Sequence, residues 1–331
     1  MVSCALAAGL NVTATEGNSN SQIGVPLTLA RLNPDADIAV MEMGMSMPGE
    51  MSALAELALV NTAIMTNIGV SHIEFHGTRE NIMKEKLHIT DAFDKDGVLI
   101  VNADDDLLST LPAVLSCKVI TYGLADGADY HADNVRIENG FTCCEVTTPS
   151  GTCKLKLQVP GLHIVRNALA ALAAAELFGV SADKAAKALE GFTSFCRRLE
   201  IKSFAGLTII DDSYNASPDS MKAAIDVLDS YPTEGRRIAV LADMKELGPD
   251  SVRFHKEVGT FASEKKINLM YTVGELAAEI LNACGCKGTS FADNEQLISK
   301  LQPELRPGDL ILFKGSNSMK LNEVIAKLQE N

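Results

Sequence analysis

The sequence predicts an α/β protein whose two domains are each built on a mostly parallel β-sheet. Three observations support this fold class. Short apolar runs alternate with helical patterns, and one hairpin-like region interrupts the alternation before it resumes. The length of 331 residues is usual for two domains, and the hydrophobic fraction of 47% is that of a globular protein with a sizeable core.

The first half predicts parallel strands separated by helices. Apolar runs typical of buried strands occur at residues 38–41, 62–65 and 98–101, and helical patterns lie between them at residues 48–59 and 80–93. The apolar start of the chain has no basic flank, so it is a poor signal peptide and favours the end of a helix.

The alternation changes between residues 133 and 159. Three alternating stretches, at residues 134–137, 141–147 and 153–159, are joined by Asn139-Gly140 and Ser150-Gly151, a pattern typical of an antiparallel meander.

An Ala- and Leu-rich helix is expected at residues 163–178. Strand patterns then resume at residues 207–210, 238–241, 269–273 and 310–313. We therefore predict a first domain at residues 1–197 and a second at residues 198–331.

Composition excludes several classes of function. The formal net charge of −14 argues against a general nucleic-acid binder, which needs a basic face. No apolar run approaches the roughly 20 residues that span a bilayer. The eight cysteines form no Cys-x2-Cys motif, so reduced thiols in a cytosolic protein are expected. No Gly-x-Gly and no Gly-Lys occurs, which disfavours an NAD-dependent oxidoreductase and leaves no Walker A lysine to assign.

A metal site is one interpretation of three residues in the first half. Glu42 follows one predicted strand, His72 follows the next, and Lys86 lies on the next helix. The carboxyl ends of parallel strands share one edge of a sheet, so Glu42 and His72 can converge there. A carboxylate suits Mg²⁺, whereas an imidazole is a less usual ligand for so hard a cation. Spacing alone favours the alternative that both residues only cap loops.

The second half contains a segment too polar for a generic turn. The run DDSYNASPDS at residues 211–220 lies where a predicted strand meets a helix start, the position at which α/β sheets bind ligands. Asp212 in this run can accept ribose hydroxyls, or it can cap the following helix.

Three further groups each have a functional and a structural interpretation. Asn167 can bind a base edge or satisfy a helix N-terminus. The pair Arg197-Arg198 can reach a phosphate or remain a solvated surface. The KGS turn at residues 314–316 can hold an anion or only connect a strand to a helix.

Taken together and in this order, these segments resemble the Mur ligase family over essentially the whole chain. The motifs that carry the resemblance are TEGNSNSQIGVP at residues 15–26, EMG at 42–44, TNIGVSH at 66–72, DDSYNASPDS at 211–220, LADMKELG at 241–248 and KGS at 314–316. DDSYN and DMxELG resemble the branch that adds D-alanyl-D-alanine to a UDP-N-acetylmuramoyl-tripeptide.

The resemblance implies an ATP-dependent amide-bond ligase of peptidoglycan precursor synthesis. Its fold would be a Mur-ligase central domain with an antiparallel β insertion, followed by a Rossmann-like C-terminal domain. The implied cofactors are ATP and Mg²⁺, and the implied partners are UDP-N-acetylmuramoyl-tripeptide and D-alanyl-D-alanine. A monomer without nucleic-acid binding or membrane insertion is expected.

The resemblance also implies roles for individual residues. Glu42 and His72 would bind Mg²⁺, and Lys86 matches a lysine that the family carbamylates to support the metal. His72, Lys86 and Arg198 would act in catalysis, with Arg198 on the phosphates. Asn167 would contact adenine.

The remaining implied contacts are with the sugar and the two substrates. Asp212 would bind the ribose, and Asn18 and Asn20 would face the muramoyl-peptide. Asn215 would contact substrate, and the residues expected on the dipeptide side are Asp243, His255, Lys314 and Ser316.

Departures from the family pattern shape the functional prediction. The family's P-loop, with its lysine and threonine, and its uridine-nucleotide domain are not in this sequence. The family's usual His-Asn-x-x-Asn is replaced by HIVRN at residues 163–167, and its usual Gly-Arg by Arg197-Arg198. Leu87-His88 stands where the family commonly has Gly-Glu, and Asn317 stands where it usually has an arginine. We therefore expect a ligase that does not turn over as this chain alone, the alternative being a non-catalytic nucleotide- or peptide-binding protein.

Overall fold

The chain divides into two compact units. The computed structural model describes residues 1–138, 141–194 and 196–330, so the predicted Asn139-Gly140 turn lies outside the described residues. One unit comprises Met1–Ile68 and Phe75–Phe192, and the other comprises Gly69–Glu74 and Thr193–Asn331. The predicted boundary between residues 197 and 198 stays a prediction.

The first half of the chain contains eight strands and seven α-helices among its described residues. The strands are β1 (Val12–Ala14), β2 (Ile38–Val40), β3 (Thr62–Met65), β4 (Val98–Asn102), β5 (Lys118–Gly123), β6 (Tyr130–Glu138), β7 (Phe141–Thr148) and β8 (Gly151–Leu157). The helices are α1 (Val2–Leu6), α2 (Gly24–Leu29), α3 (Glu50–Ala58), α4 (Ile73–His76), α5 (Arg79–Leu87), α6 (Leu162–Leu177) and α7 (Ala182–Leu189).

Two sheets organise these elements. Strands β1 and β2 pair in parallel, and the larger sheet has the order β3-β4-β5-β6-β7-β8. Its first four strands run parallel, and β6, β7 and β8 form the predicted antiparallel meander. Helix α6 buries its Ala- and Leu-rich surface in the core that this sheet shares with α1 and α7. The alternating burial of β7 and β8 explains why the meander is readable from the sequence.

The second half contains six strands and five α-helices among its described residues. The strands are β9 (Glu200–Phe204), β10 (Leu207–Asp212), β11 (Arg237–Ala242), β12 (Leu269–Val273), β13 (Gly288–Phe291) and β14 (Leu310–Lys314). The helices are α8 (Pro218–Ser230), α9 (Ser251–Ser263), α10 (Ala278–Cys284), α11 (Asn294–Glu304) and α12 (Leu321–Gln329).

The second sheet is Rossmann-like, with the order β13-β12-β11-β14-β10-β9. All neighbours are parallel except β9, which pairs antiparallel with β10 at one edge. Strands β11, β12 and β14 are buried along almost their whole length, as expected for strands covered by helices on both faces. The mixed α/β fold with two mostly parallel units confirms the predicted fold class.

Most predicted elements occur within a few residues of their expected positions. The helix predicted at residues 80–93 is too long, because α5 ends at Leu87 and a 3₁₀ turn follows at His88–Thr90. Strands β1, β5, β9 and β13 were not predicted, since they are short or lack a sustained apolar run. In the described part of the chain, no helix combines the length and the apolar character needed to cross a membrane.

Candidate active site

Two loops in the first unit bring an amide and a carboxylate together. They follow β1 and β2, whose carboxyl ends share one edge because the strands are parallel. Asn20 Nδ2 donates to Glu42 Oε1 at 2.7 Å and lies 3.4 Å from Asn18 Oδ1. The backbone N–H of Glu42 donates to Thr15 Oγ1 at 2.9 Å. Predicted substrate residues Asn18 and Asn20 are therefore neighbours of the predicted metal ligand Glu42.

Lys86 lies on α5 in an unusual electrostatic setting. Its ammonium makes no hydrogen bond and no ion pair with another residue among those described. Burial lowers the pKa of Lys86, and the carboxylate of Asp105 only partly opposes this effect. A lysine with a lowered pKa holds a larger neutral fraction, which is the nucleophilic form of the amine.

His72 belongs to the short segment Gly69–Glu74 that goes with the second unit. Its backbone is in the left-handed region at φ +62°, and its Nδ1 lies 2.7 Å from Glu246 Oε2. Among the described residues, no group of three or more His, Cys, Asp or Glu side chains is placed to hold a metal ion. The convergence of Glu42, His72 and Lys86 on one cation stays a prediction.

Asn167 lies in the second turn of α6. Its half-buried amide has no hydrogen bond to any other described residue, so its donors and acceptor are available. The preceding Arg166 is engaged, because its Nε donates to Asp104 Oδ2 at 2.5 Å. Asp104 also accepts from the backbone N–H groups of Leu124 and Ala125, at 2.9 and 2.8 Å. This network fixes the residue beside Asn167, while the Asn167 side chain has no partner in the described part of the chain.

Asp212, the predicted ribose ligand, is held from two sides. It ends β10 opposite Lys314 on β14, and Lys314 Nζ donates to Asp212 Oδ2 at 2.5 Å and to the Asn215 carbonyl at 3.0 Å. The backbone N–H of Leu199 donates to Asp212 Oδ1 at 3.1 Å. The alternative that Asp212 caps the next helix is wrong, because Ser217 is the N-cap of α8 and forms a capping box.

Arg198 rests on an aromatic ring. Its guanidinium carbon lies 4.4 Å from the centroid of Tyr214, and that of Arg197 lies 5.3 Å from the same centroid. Arg198 makes no hydrogen bond to a described residue and is exposed, so stacking orients it without occupying its donors. Sequence reasoning missed Tyr214, although this residue lies within the DDSYN run.

Asp243, His255 and Ser316 form a buried network. Asp243 Oδ1 accepts from the backbone N–H of Ala277 at 2.8 Å, and the N–H of Ser316 donates to the Asp243 carbonyl at 3.1 Å. Ser316 Oγ accepts from the N–H of Lys245 at 3.0 Å. These bonds fix the loop after β11 to the turn after β14.

His255 holds the same loop from α9. Its Nε2 accepts from the N–H of Met244 at 3.0 Å, and its Nδ1 lies 2.7 Å from the Ser251 carbonyl. The proton therefore sits on Nδ1, and the ring is neutral. The side chain is fully buried, and this burial lowers its pKa. The predicted dipeptide contacts of His255, Asp243, Lys314 and Ser316 and the predicted substrate contact of Asn215 stay predictions.

Comparison with protein families places the chain. The Mur ligase middle domain matches residues 1–175, and the glutamate ligase domain of Mur ligases matches residues 197–317. The chain belongs to the Mur ligase family. Mur ligases are enzymes. The family predicted from the sequence motifs is confirmed.

Two curated relatives of this Mur ligase have the same name. UDP-N-acetylmuramoyl-tripeptide--D-alanyl-D-alanine ligase of Bacillus subtilis is 39% identical over 100% of this chain and 73% of the relative. The ligase of the same name from Escherichia coli is 35% identical over 97% of this chain and 72% of its own length.

Solved structures agree with this placement. MurF of Acinetobacter baumannii superposes with a TM-score of 0.92 at 29% identity and covers 100% of this chain and 73% of that protein. MurF ligase of Thermotoga maritima, solved in complex with ADP, gives a TM-score of 0.88 at 27% identity, with 99% of this chain and 75% of that protein covered.

Proposed function

We propose that this Mur ligase chain belongs to an ATP-dependent amide-bond ligase that adds D-alanyl-D-alanine to UDP-N-acetylmuramoyl-tripeptide. The observation that carries the proposal is the whole-chain similarity to the Bacillus subtilis ligase of that reaction. Asn167 in one unit and Arg198 in the other each present donors that have no hydrogen-bond partner among the described residues, and each is consistent with nucleotide binding. The reaction takes place in the cytoplasm under this proposal.

The proposed chemistry has two steps on the substrate carboxylate. A carboxylate oxygen of the tripeptide attacks the γ-phosphorus of ATP, and the bond from this phosphorus to the β-phosphate oxygen breaks. ADP leaves, and the tripeptide now carries an acyl phosphate. The amine of D-alanyl-D-alanine then attacks the acyl carbon and loses a proton, and the tetrahedral intermediate collapses to the amide and free phosphate. Arg198 would hold phosphate oxygens bidentately while Tyr214 supports its guanidinium plane.

One side chain, Glu42, supports Mg²⁺ as the metal in this proposal. Glu42 Oε1 accepts from Asn20, and Oε2 has no partner among the described residues, so a hard oxygen ligand is available. A bound Mg²⁺ supplies positive charge beside the phosphoryl oxygens. Asn20 orients the Glu42 carboxylate, and Lys86 supplies an amine whose pKa burial lowers.

Carbamylation of Lys86 is part of the proposal. The neutral amine attacks CO₂, one N–H proton is lost, and a carbamate replaces the cation with a carboxylate-like group. Protein incubated with ¹³C-bicarbonate should show one carbamate carbon signal by NMR, and the Lys86→Arg variant should lack it. An unchanged spectrum in Lys86→Arg would count against this assignment.

The function is tested with two polypeptides. One is the chain of 331 residues, and the other, the extended polypeptide, is this chain fused to the part of the Bacillus subtilis ligase that the match leaves uncovered. We expect phosphate release from the extended polypeptide only when ATP, the tripeptide substrate and D-alanyl-D-alanine are all present. The chain of 331 residues should not turn over, because it contains no P-loop motif, and loss of groups that stabilise a transition state costs about 3 kcal/mol each.

Each outcome has a clear meaning. Turnover by the chain of 331 residues alone would refute the need for a P-loop in this reaction. Absence of turnover in the extended polypeptide, together with ADP binding, would favour the alternative of a non-catalytic nucleotide-binding protein. Arg198→Ala in the extended polypeptide serves as the control, since it should reduce the rate without unfolding the protein.

A further inference from the structure

Lys314 is a buried cation at the end of β14. Its side chain is only 3% exposed, although lysine is almost never fully buried unless it is paired. Its Nζ donates to Asp212 Oδ2 at 2.5 Å and to the Asn215 carbonyl at 3.0 Å. An ammonium that is buried and held by the protein has little reach toward a ligand. Its role therefore lies in the groups that it holds.

The two hydrogen bonds of Lys314 join both ends of the polar turn after β10. Asp212 is the register partner of Lys314 on the neighbouring parallel strand, and Asn215 follows it by three residues. Between them, Ser213 Oγ donates to Asp211 Oδ1 at 2.7 Å. One ammonium therefore fixes a carboxylate at the start of this turn and a carbonyl at its end.

The backbone around Lys314 is fixed as well. Gly315 packs so closely on β11 that an added Cβ would lie 2.7 Å from the Ala242 Cβ. The N–H of Ser316 donates to the Asp243 carbonyl at 3.1 Å. Lys314 is thus a rigid support, since its strand is paired on both sides and the turn after it is held.

The Asp212 carboxylate keeps acceptor capacity on both oxygens. Oδ2 accepts from Lys314 and Oδ1 accepts from the N–H of Leu199, and in the described part of the chain no other hydrogen bond reaches this side chain. A carboxylate oxygen can accept about two hydrogen bonds, so one position on each oxygen remains. The side chain is 14% exposed, which leaves an opening for a small group. Two fixed acceptors of this kind match the two neighbouring hydroxyls of a ribose.

We propose that Lys314 is a positioning residue that holds the Asp212 carboxylate in the orientation that accepts the ribose hydroxyls of the nucleotide. This inference rests on the proposed function, since it places a nucleotide at Asp212. Lys314 acts through Asp212 and does not itself contact a substrate, which differs from the dipeptide contact predicted from the sequence. Its effect is therefore on the preference for a ribonucleotide.

The experiment compares ADP with 2′,3′-dideoxy-ADP by calorimetric titration of the chain of 331 residues. The unmodified chain should bind ADP about 10-fold more tightly, because the dideoxy nucleotide loses hydrogen bonds to a charged acceptor. In Lys314→Met the preference should fall to about 3-fold or less. Lys202→Met is the matched control, since Lys202 Nζ donates to Asp211 Oδ2 at 2.8 Å in a similar pair one residue earlier. It should keep the full preference.

A double-mutant cycle separates positioning from loss of folding. Lys314→Met leaves a carboxylate of low exposure without its cation, which should destabilise the second unit. Asp212→Asn and the double variant Lys314→Met, Asp212→Asn avoid this unpaired charge. If Lys314 acts only through Asp212, Asp212→Asn alone should remove the preference, and the second substitution should change it no further. Urea unfolding checks that each variant is folded.

Three outcomes would overturn the proposal. They are an unchanged preference in Lys314→Met, a further loss in the double variant beyond that in Asp212→Asn, and no ADP binding by the unmodified chain. A raised KM for D-alanyl-D-alanine in the Lys314→Met extended polypeptide, with the nucleotide preference unchanged, would assign Lys314 to the dipeptide instead. Phosphate release by the unmodified extended polypeptide tests the proposed function separately, because it does not depend on the ribose preference.

Discussion

His255 is fully buried in α9, and both of its ring nitrogens are engaged with backbone groups. Burial lowers its pKa below the ordinary value of 6.5, with Ser251 and Asp243 opposing the shift. The folded protein therefore binds fewer protons at this site than the unfolded chain does at mildly acidic pH. It follows that His255 links the stability of the second unit to pH.

We predict that the free energy of unfolding falls as the pH is lowered through 6.5, the ordinary pKa of the unfolded histidine. In His255→Gln, which cannot titrate, this part of the pH dependence should disappear. The variant should also be less stable near pH 8 by about 1–3 kcal/mol, because the N–H of Met244 loses its acceptor. Urea unfolding of both proteins between pH 5 and 8 measures the two effects, and parallel pH curves would contradict the assignment.

Arg197 has a left-handed backbone conformation. Its φ is +59°, a value that glycine adopts readily and that a residue with a Cβ rarely adopts. The left-handed region costs a non-glycine residue about 1–2 kcal/mol. The Tyr214 ring, which lies under its guanidinium, and the N–H of Tyr214, which donates to the Arg197 carbonyl at 3.1 Å, help to hold this conformation.

Arg197→Gly should therefore be more stable than Arg197→Ala by about 1 kcal/mol, since both lose the guanidinium and only glycine relieves the strain. The matched control is the neighbouring pair Arg198→Gly and Arg198→Ala. Arg198 is absent from the left-handed residues, so alanine should be the more stable choice there. Thermal or urea unfolding of the four variants measures these differences. The same order of stability between glycine and alanine at both positions would contradict the strain at Arg197.

The loop that follows β12 meets the loop that follows β11 at Gly274. This residue has φ +107°, and a Cβ built on it would lie 2.4 Å from Asp243 Oδ1. Asp243 in turn accepts from the N–H of Ala277 at the start of α10. The position of α10 against the sheet therefore depends on the absence of a side chain at one residue.

Gly274→Ala should destabilise the protein by about 2 kcal/mol or more, because it adds a steric clash to the conformational cost. Gly285→Ala is the matched control. Gly285 has φ +65° with nothing within 4 Å of the added Cβ, so only the conformational cost of about 1 kcal/mol should remain. Equal losses in the two variants, measured by urea unfolding, would show that the contact with Asp243 contributes nothing.

The elements that could be predicted are those with a strong local pattern. The buried strands β4, β11 and β14 are continuous apolar runs, and the meander of β6 to β8 shows alternation and turn residues. Strands β9 and β13 lie at the edges of the second sheet and are mostly exposed or half-buried, so their sequences give no such signal. Edge strands are defined by pairing with a neighbour, which the local sequence does not encode.

The sequence indicates which residues belong to the candidate site better than it indicates which of them contact each other. The pairing of Asp212 with Lys314 has a signal in the sequence, because each residue follows a predicted parallel strand, but the order of β10 beside β14 comes only from the structure. The contact of Glu246 with His72 joins residues far apart in sequence. The left-handed conformations of both residues are imposed by tertiary packing and have no signature in residue type.

Considered as a whole, the molecule has a sheet in each half that is built from one continuous stretch of chain. All strands of the sheet from β9 to β14 lie after residue 199, and the buried core around Ile209, Val240 and Phe313 comes from the same stretch. The length from residue 193 onward is within the usual range of a single domain. We therefore expect the segment at residues 193–331 to fold on its own with a cooperative urea transition.

Where that segment begins should matter, and this tests the boundary predicted at residue 197. A fragment that starts at residue 198 lacks Arg197, so the N–H of Tyr214 loses its carbonyl partner, and Glu200 Oε2 loses the N–H of Arg197. Each lost hydrogen bond is worth about 1 kcal/mol, so the fragment at residues 198–331 should be less stable than the fragment at residues 193–331 by about 1–2 kcal/mol. Urea midpoints of the two fragments measure this difference. Equal midpoints would place the start of the folded unit after Arg197, because residues that do not contribute to stability lie outside the cooperative structure.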